Sequence, residues 1–141
     1  MFLTNQLFSQ DLNIEKGFVI IQSSKDYDSA LETVKDARKK LNLKIDLRGY
    51  KPHKDEGLYT DIECGCGSTH DYVARGHSDD GKYISIEYSN MYQGFSEGYY
   101  IVVIASERKD GDVLKESLKL ARKFYPDSYI KNTSVYIGCM H

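Results

Sequence analysis

The sequence lacks a long apolar run and lacks a large net charge of either sign. Its 19 Lys and Arg residues nearly balance 21 Asp and Glu residues, so the formal net charge is −2. Such a charge gives no electrostatic reason to expect a nucleic acid or an anionic lipid surface as a partner. No segment approaches the roughly 20 consecutive apolar residues of a membrane-spanning helix.

The remaining composition is that of a soluble globular protein. Hydrophobic residues make up 40% and charged residues 28% of the 141 residues, a length that predicts one domain with its own core. Tryptophan is absent, whereas there are 12 Tyr and 5 Phe. This excess of tyrosine favours β-strands and a polar-aromatic contact surface.

Residues 1–10, which read MFLTNQLFSQ, have an apolar stretch that ends in small and polar residues. The segment is similar to the end of a bacterial secretory signal without its charged start, with cleavage near Ser9 or Gln10. We therefore expect an exported, periplasmic protein whose domain occupies residues 11–141. The alternative is an ordinary short N-terminal strand or arm.

Only three cysteines are present, and their role depends on the compartment. In an oxidising periplasm Cys139 could pair with Cys66, or with Cys64, leaving one thiol unpaired. A bond between Cys64 and Cys66 is disfavoured because one intervening residue strains disulfide geometry. The candidate disulfide is Cys66–Cys139, with Cys64–Cys139 as the alternative.

The segment 64–70, which reads CGCGSTH, could wrap a zinc ion. Three residues elsewhere could complete such a site: His53, Cys139 and His141. The spacing is not that of a standard zinc ribbon or finger, so a disulfide or simple loop thiols are preferred. A nucleophilic pair of Cys66 and His70 lacks an orienting third group. We therefore predict no catalytic residue, no metal and no other cofactor.

The strongest pattern is an internal repeat. When the sequence is shifted by 84 positions, ten of the 21 pairs between positions 19 and 39 are identical. The identical pairs cover a strand, a turn and a helix: Val19/Val103, Ile20/Ile104, Lys25/Lys109, Asp26/Asp110, Asp28/Asp112, Glu32/Glu116, Lys35/Lys119, Ala37/Ala121, Arg38/Arg122 and Lys39/Lys123. The repeated object is therefore a supersecondary unit.

In the first copy, the apolar segment 18–21 predicts a strand buried on both faces, and Asp26 is a good N-cap for the next helix. An apolar stripe at helical spacing follows: Ala30, Val34, Ala37 and Leu41. Alternation in 44–48 predicts a half-exposed second strand.

In the second copy, 99–105 is the apolar strand and Asp110 takes the capping place. The expected inner face of the helix comprises Val113, Leu114, Ser117, Leu118, Ala121 and Phe124. Pro126 ends this helix, and 128–137 is the last strand, with Tyr129, Lys131, Thr133 and Val135 on one side.

Two such units, 17–50 and 98–137, predict an α+β fold of the ferredoxin-like βαββαβ type with the first and third strands central. The insertion 51–97 is expected to contain a β-hairpin of 71–75 with 83–88, around the Asp79-Asp80-Gly81 turn. The hairpin could extend the sheet or cover its open face. A ligand or a second subunit, giving a homodimer, could cover that face instead.

The segment 17–30, GFVIIQSSKDYDSA, resembles the SPOR domain, a bacterial cell-envelope module. Typical of that family is an apolar strand that begins with an aromatic residue and ends in a Gln. A Ser, an acidic residue and an Ala in the helix follow. The second copy, YYIVVIAS at 99–106, matches without the Gln. Departures are the long insertion and Ser23-Ser24-Lys25 in place of the common Gly-Ser-Phe.

The resemblance implies the βαββαβ fold, no enzymatic activity, and binding to peptidoglycan strands stripped of their stem peptides. It places the ligand on the sheet face away from the helices, where Gln22, Ser24 and Ser106 are candidate hydrogen-bonding residues and Tyr99 could stack on a sugar. The alternative function is a periplasmic immunity or inhibitor protein that binds a toxin or another protein. No partner nucleic acid and no membrane insertion are expected.

Overall fold

A computed structural model describes residues 12–61 and 71–137. In chain order the described elements are β1 (Asn13–Ser24), α1 (Tyr27–Leu41), β2 (Tyr50–His53), β3 (Gly57–Thr60), β4 (Gly81–Tyr88), β5 (Tyr100–Arg108), α2 (Asp112–Arg122) and β6 (Tyr129–Tyr136). A short 3-10 turn, Ser89–Met91, follows β4. None of the described helices is both long and apolar enough to cross a bilayer.

Four strands form the main sheet in the order β4-β5-β1-β6, and every neighbouring pair is antiparallel. The apolar strands β1 and β5 are therefore central, as their buried sequences predict. With the two helices, this order makes an α+β fold compatible with the ferredoxin-like class.

Both helices occur where the apolar spacing predicts them. Asp26 caps α1 by accepting a hydrogen bond from the Ser29 backbone N at 3.1 Å. The predicted stripe of α1 is buried in full: Ala30, Val34, Ala37 and Leu41.

The start of α2 differs from the prediction. Asp110 has φ 65°, whereas a capping residue needs an extended backbone, and Gly111 occupies the N-cap instead. On the inner face of α2, Leu114, Ser117 and Ala121 are buried, but Phe124 lies beyond the helix and is 43% exposed.

The predicted second strand, 44–48, is wrong. Only Ile45 makes a bridge, parallel to Ile84 of β4. Arg48 and Gly49 then turn the chain with φ of 59° and 79°, which ends any extended pairing. The edge position beside β5 belongs instead to β4.

The predicted hairpin of 71–75 with 83–88 is also wrong. β4 is a strand, but its partner is β5, and Asp71 bridges Tyr59 instead. The hairpin between the two helices is β2–β3, in which Tyr50 pairs with Thr60 and His53 pairs with Gly57.

Residues of 72–96 cover much of the sheet face opposite the helices, here called the covered face. Phe18 of β1 contacts Tyr92 there with ring centroids 5.2 Å apart, whereas the neighbouring Gly17 faces Leu114 of α2. The segment between α1 and β5 therefore both supplies an edge strand and packs across the sheet.

Candidate functional site

The covered face has a closed part over β4 and β5 and an open part beside β6. At the closed part, Arg75 is fully buried. Its Nε donates to Ser106 Oγ at 2.9 Å, and its terminal nitrogens donate to Ser85 Oγ at 2.8 Å and to the Gly81 carbonyl at 2.8 Å. The Arg75 guanidinium group therefore connects β4 to β5, and the oxygens that accept these hydrogen bonds carry no net charge.

Glu87 supplies the nearest buried negative charge. It is fully buried on β4 and accepts from Ser85 Oγ at 2.5 Å, which links it to Arg75. Arg48 forms a two-point ion pair with Glu87, through Nε at 3.2 Å and through a terminal nitrogen. The other terminal nitrogen of Arg48 donates to Asp79 Oδ2 at 2.7 Å.

Two buried tyrosines complete this group, which we call the Arg75–Glu87 network: Arg48, Tyr72, Arg75, Asp79, Ser85, Glu87, Tyr92 and Ser106. The Tyr72 hydroxyl bonds Glu87, and the two hydroxyls of Tyr72 and Tyr92 are 2.5 Å apart. Tyr92 also accepts the backbone N–H of Arg75 at 2.8 Å. Every charged group of the network thus has partners, as burial of charge requires.

The electrostatics of the network follow from burial. Burial, and next the charge of Glu87, raise the pKa of both Tyr72 and Tyr92 well above that of a free tyrosine. Burial lowers the pKa of Arg75. Burial acts to lower the pKa of Arg48, but Glu87, Tyr72 and Asp79 together raise it by more, so the pKa of Arg48 is raised.

Two carboxylates of the 76–80 loop form ion pairs. Asp79 accepts from Arg48 and from the backbone N of Gly76 at 2.7 Å, and Asp80 accepts from Lys16 at 2.5 Å. These contacts fasten the 76–80 turn onto β1 and the network. The exposed Asp61, in contrast, pairs only with the exposed Lys51.

The open part of the face contains a groove of about 240 Å³, which we call the aromatic groove. The residues that line it come from β1, β5 and β6 and from the segment between β4 and β5: Ser23, Ser89, Gly94, Phe95, Ser96, Tyr99, Ile101, Tyr129 and Lys131. The volume lies somewhat below the roughly 300–1,000 Å³ of sites that enclose drug-sized ligands. An open groove of this size suits one segment of a longer polymer.

Local packing fixes the aromatic groups of the groove. Phe95 packs in a tilted arrangement against Tyr92, with ring centroids 5.6 Å apart, and the Tyr92 hydroxyl belongs to the network. Tyr99 is held by its backbone N, which donates to Ser89 Oγ at 2.9 Å. Among the described residues, the hydroxyls of Tyr99 and Tyr129 have no hydrogen-bond partner and are available to a ligand.

Lysines flank these rings. Lys131 Nζ lies 5.4 Å from the ring centroid of Phe95, and its side chain crosses Gly94. Lys25 Nζ lies 5.4 Å from the ring centroid of Tyr99. The groove therefore combines apolar ring surface, hydroxyl groups and positive charge.

The structure separates the four predicted ligand-binding residues. Tyr99 lines the groove, but Ser106 is fully buried against Arg75, so it has no surface for a ligand. Ser24 Oγ accepts the backbone N–H of Asp26 at 3.0 Å and belongs to the start of α1. Gln22 does not line the groove, because its neighbour Ser23 points there and strand side chains alternate.

Sequence reasoning missed Phe95, Tyr129 and Lys131 as site residues. Tyr129 and Lys131 were predicted to share one side of the last strand, which is correct, and that side borders the groove. Phe95 sits in the 90–95 loop, for which the sequence carries no periodic signal. The position of the loop depends on Tyr92 and the buried network.

The candidate disulfide Cys66–Cys139, the 64–70 segment and the N-terminal segment 1–10 lie outside the described residues. Within 12–61 and 71–137, no group of three or more His, Cys, Asp or Glu side chains could hold a metal ion.

Comparison with known proteins finds no matching family model, no matching curated protein and no matching solved structure.

Proposed function

We propose that this chain is a non-catalytic, exported binding domain, SPOR-like, that contacts peptidoglycan glycan strands through its aromatic groove. The groove carries the proposal, because it offers the rings of Phe95, Tyr99 and Tyr129 on the sheet face away from the helices. Aromatic faces with adjacent hydroxyls suit sugars, which present apolar C–H faces and polar rims.

The repeat supports the same proposal. The 84-residue shift superposes the sequence of β1 on that of β5 and the sequence of α1 on that of α2. In a two-unit βαββαβ domain these are the equivalent elements, and the SPOR-like text lies in them. The segment after α1 departs from this symmetry, since β4 occupies the edge that a repeated second strand would fill.

The size of the groove favours a polymer. A site of about 240 Å³ that is open to solvent is about the size of one sugar ring and leaves the chain free to continue at both ends. The Arg75–Glu87 network closes the part of the face over β4 and β5, so among residues 12–61 and 71–137 the open part beside β6 is where a ligand has access.

The test is co-sedimentation of the purified chain with peptidoglycan sacculi, intact and amidase-treated. We expect stronger binding after the stem peptides are removed. Tyr129→Ala should weaken binding at least about fivefold, since truncating a central aromatic contact typically costs more than about 1 kcal/mol.

Tyr136→Ala is the matched control, because Tyr136 is an exposed tyrosine at the other end of β6 and does not line the groove. Equal losses for the two variants would argue against the groove. Absence of binding to both kinds of sacculi would overturn the proposal.

A protein partner is the second candidate function. A second groove, formed by residues of 55–58, 71–72 and 88–91, combines the acidic Asp55, Glu56 and Asp71 with Met91, which is 51% exposed. If the chain is an immunity or inhibitor protein, this acidic surface would suit a basic protein as its partner. Binding to sacculi that depends on Tyr129 would favour the glycan function instead.

A further inference from the structure

The main sheet has two edges, β4 and β6, and they differ in how they are covered. At the β4 edge, the backbone N of Ile84 donates to the Lys44 carbonyl at 2.9 Å, and the Ile84 carbonyl accepts from Asp46 N at 2.9 Å. No segment among residues 12–61 and 71–137 pairs with the outer side of β6. Within that part of the chain, β6 is therefore the open edge of the sheet.

The pairing of β6 with β1 shows which backbone groups of β6 point outward. The backbone N of Ile137 donates to the Leu12 carbonyl at 2.6 Å, and the antiparallel register continues from there along β6 without a bulge. In an antiparallel pair, residues that bond the partner strand alternate with residues that do not. The residues that bond β1 are therefore odd-numbered, and those that direct N–H and C=O away from the sheet are Ile130, Asn132, Ser134 and Tyr136.

The strand β6 carries few of the features that keep exposed edges apart. Natural edge strands are protected by proline, by bulges or by several charges. In contrast, β6 has no proline and no bulge against β1, and Lys131 is its one charged residue. Its two end residues, Tyr129 and Tyr136, are 38% and 54% exposed. The edge is therefore suited to pairing with another extended strand.

A second copy of β6 fits this edge, because the strand is complementary to itself in one antiparallel register. The pleat requires that directly opposed residues share a face, and the ladder requires that outward residues meet outward residues. With Thr133 on a two-fold axis, Asn132 opposes Ser134 of the other copy, and Ile130 opposes Tyr136 of the other copy. All of the outward residues are then paired.

The side chains favour the same register. Thr133 meets its own copy, and Ile130 meets an aromatic ring; threonine pairs and pairs of an aromatic with a β-branched residue stabilise neighbouring strands. With Lys131 on the axis instead, two ammonium groups would oppose each other. With Asn132 on the axis, Tyr136 would oppose Ser128, whose backbone N already donates to the Tyr125 carbonyl at 3.0 Å.

We propose that this chain forms a weak two-fold dimer through the open edge of β6, with Thr133 on the axis, so that two four-stranded sheets become one continuous sheet. The inference does not rest on the proposed glycan binding, which uses side chains of the covered face. Two edge strands bury less than about 1,200 Å², so we expect a Kd at or above about 10 µM. Sacculus binding measured at about 1 µM protein therefore concerns the monomer, and Tyr136→Ala remains a valid control there.

Sedimentation equilibrium of the full chain tests the proposal between about 5 µM and about 1 mM, a range that brackets such a Kd. A reductant is present so that the three cysteines contribute no covalent dimer. We expect the average mass to rise from that of a monomer towards that of a dimer. A chain that stays monomeric over this range would overturn the proposal.

Hydrogen exchange locates the interface. The amides of residues 131, 133 and 135 bond β1 and should be protected at every concentration. The outward amides of residues 130, 132, 134 and 136 should become protected only where the dimer is populated. A dimer that forms without new protection at these four positions would use another surface and would overturn the assignment to β6.

Two matched double variants test the register. Asn132→Glu/Ser134→Lys places opposite charges across the two strands and should tighten the dimer at least about threefold at low salt. Asn132→Lys/Ser134→Lys places like charges there and should weaken it at least about tenfold. Both variants carry Ser134→Lys, so any effect of that residue within one copy is shared, and neither original side chain bonds a described residue.

Circular dichroism should show that both double variants keep the fold of the monomer. Equal dissociation constants of the two variants would overturn the proposed pairing of β6. A Glu/Lys variant that dimerises more weakly than the unchanged chain would show that Thr133 does not lie on the axis, because a register with Asn132 on the axis would oppose two glutamates.

Discussion

At the scale of single residues, Glu87 is central to the covered face. Its carboxylate is bonded to Arg48, Tyr72, Ser85 and Tyr92, and through Ser85 it is connected to Arg75. Two guanidinium groups therefore depend on one fully buried carboxylate, with the half-exposed Asp79 as additional compensation for Arg48. Removing a partner from such a buried group leaves a charge without compensation.

Glu87→Gln should therefore lower the free energy of unfolding by roughly 3–5 kcal/mol, the usual cost of breaking a buried ion pair. Urea denaturation at neutral pH measures the change. Asp61→Asn is the control, because it removes a carboxylate from an exposed pair with Lys51 and should have no measurable effect. Similar stabilities of the two variants would show that the network contributes little.

The sequence contains little sign of this network. The alternation at 83–88 predicts a strand in which Ser85 and Glu87 share one side. In the structure both are fully buried, because Arg75 and Arg48 arrive from distant segments to meet them. Periodicity identifies which side chains share a face, but it does not show what packs against that face.

At the scale of elements, the sequence predicts those whose signals are local. The apolar runs of β1 and β5, the stripe of α1 and the alternation of β6 all correspond to observed elements. The errors concern pairing: 44–48 is not a strand, and β4 pairs with β5 rather than with 71–75. Strand pairing depends on long-range contacts, and here the turn at Arg48 and Gly49 decides the outcome.

The β2–β3 hairpin was not predicted, and Gly57 connects it to the sheet. Its carbonyl accepts a hydrogen bond from Tyr100 at 2.8 Å, it has φ 80°, and an added Cβ would lie 2.3 Å from the ring of Tyr88. The hairpin can approach β4 this closely only because the residue has no side chain.

Gly57→Ala should therefore destabilise the domain by more than backbone strain alone, which is about 1–2 kcal/mol for a left-handed residue. Gly98→Ala isolates that strain, since Gly98 has φ 88° and no atom within 4 Å of the added Cβ. Urea denaturation of both variants measures the difference, and hydrogen exchange at Leu58 and Thr60 reports on the hairpin. Equal losses of stability would exclude the clash with Tyr88.

At the scale of the whole molecule, the sheet is covered by helices on one face and by the 72–96 segment on part of the other. The closed part is rich in buried tyrosine hydroxyls and charges, whereas the open part presents the rings and lysines of the aromatic groove. The ring of Tyr92 connects them, because it bonds the network and packs against Phe95. The rigidity of the groove therefore depends on the integrity of the network.

The buried tyrosines predict how the stability of the molecule depends on pH. Burial raises the pKa of Tyr72 and Tyr92, and it raises the pKa of Tyr83 to about 12. A tyrosine in the unfolded chain ionises near pH 10. Below that pH the tyrosine is protonated in both the folded and the unfolded state, so its contribution to the free energy of unfolding is fully present. Above that pH the tyrosine loses its proton only in the unfolded state, so stability falls as the pH rises towards the pKa of the folded state.

Each such tyrosine should cost about 1.4 kcal/mol of stability for every pH unit above about 10. Urea denaturation between pH 8 and about 11.5, with tyrosinate absorbance recorded in parallel, measures the slope. The Tyr72→Phe/Tyr92→Phe double variant should lose stability at pH 8, where its hydroxyl bonds are missing, but decline less steeply above pH 10. Tyr136→Phe, at an exposed position, should keep the wild-type slope. If the double variant also keeps that slope, Tyr72 and Tyr92 ionise as readily in the folded state as in the unfolded state, and the network does not hold their protons.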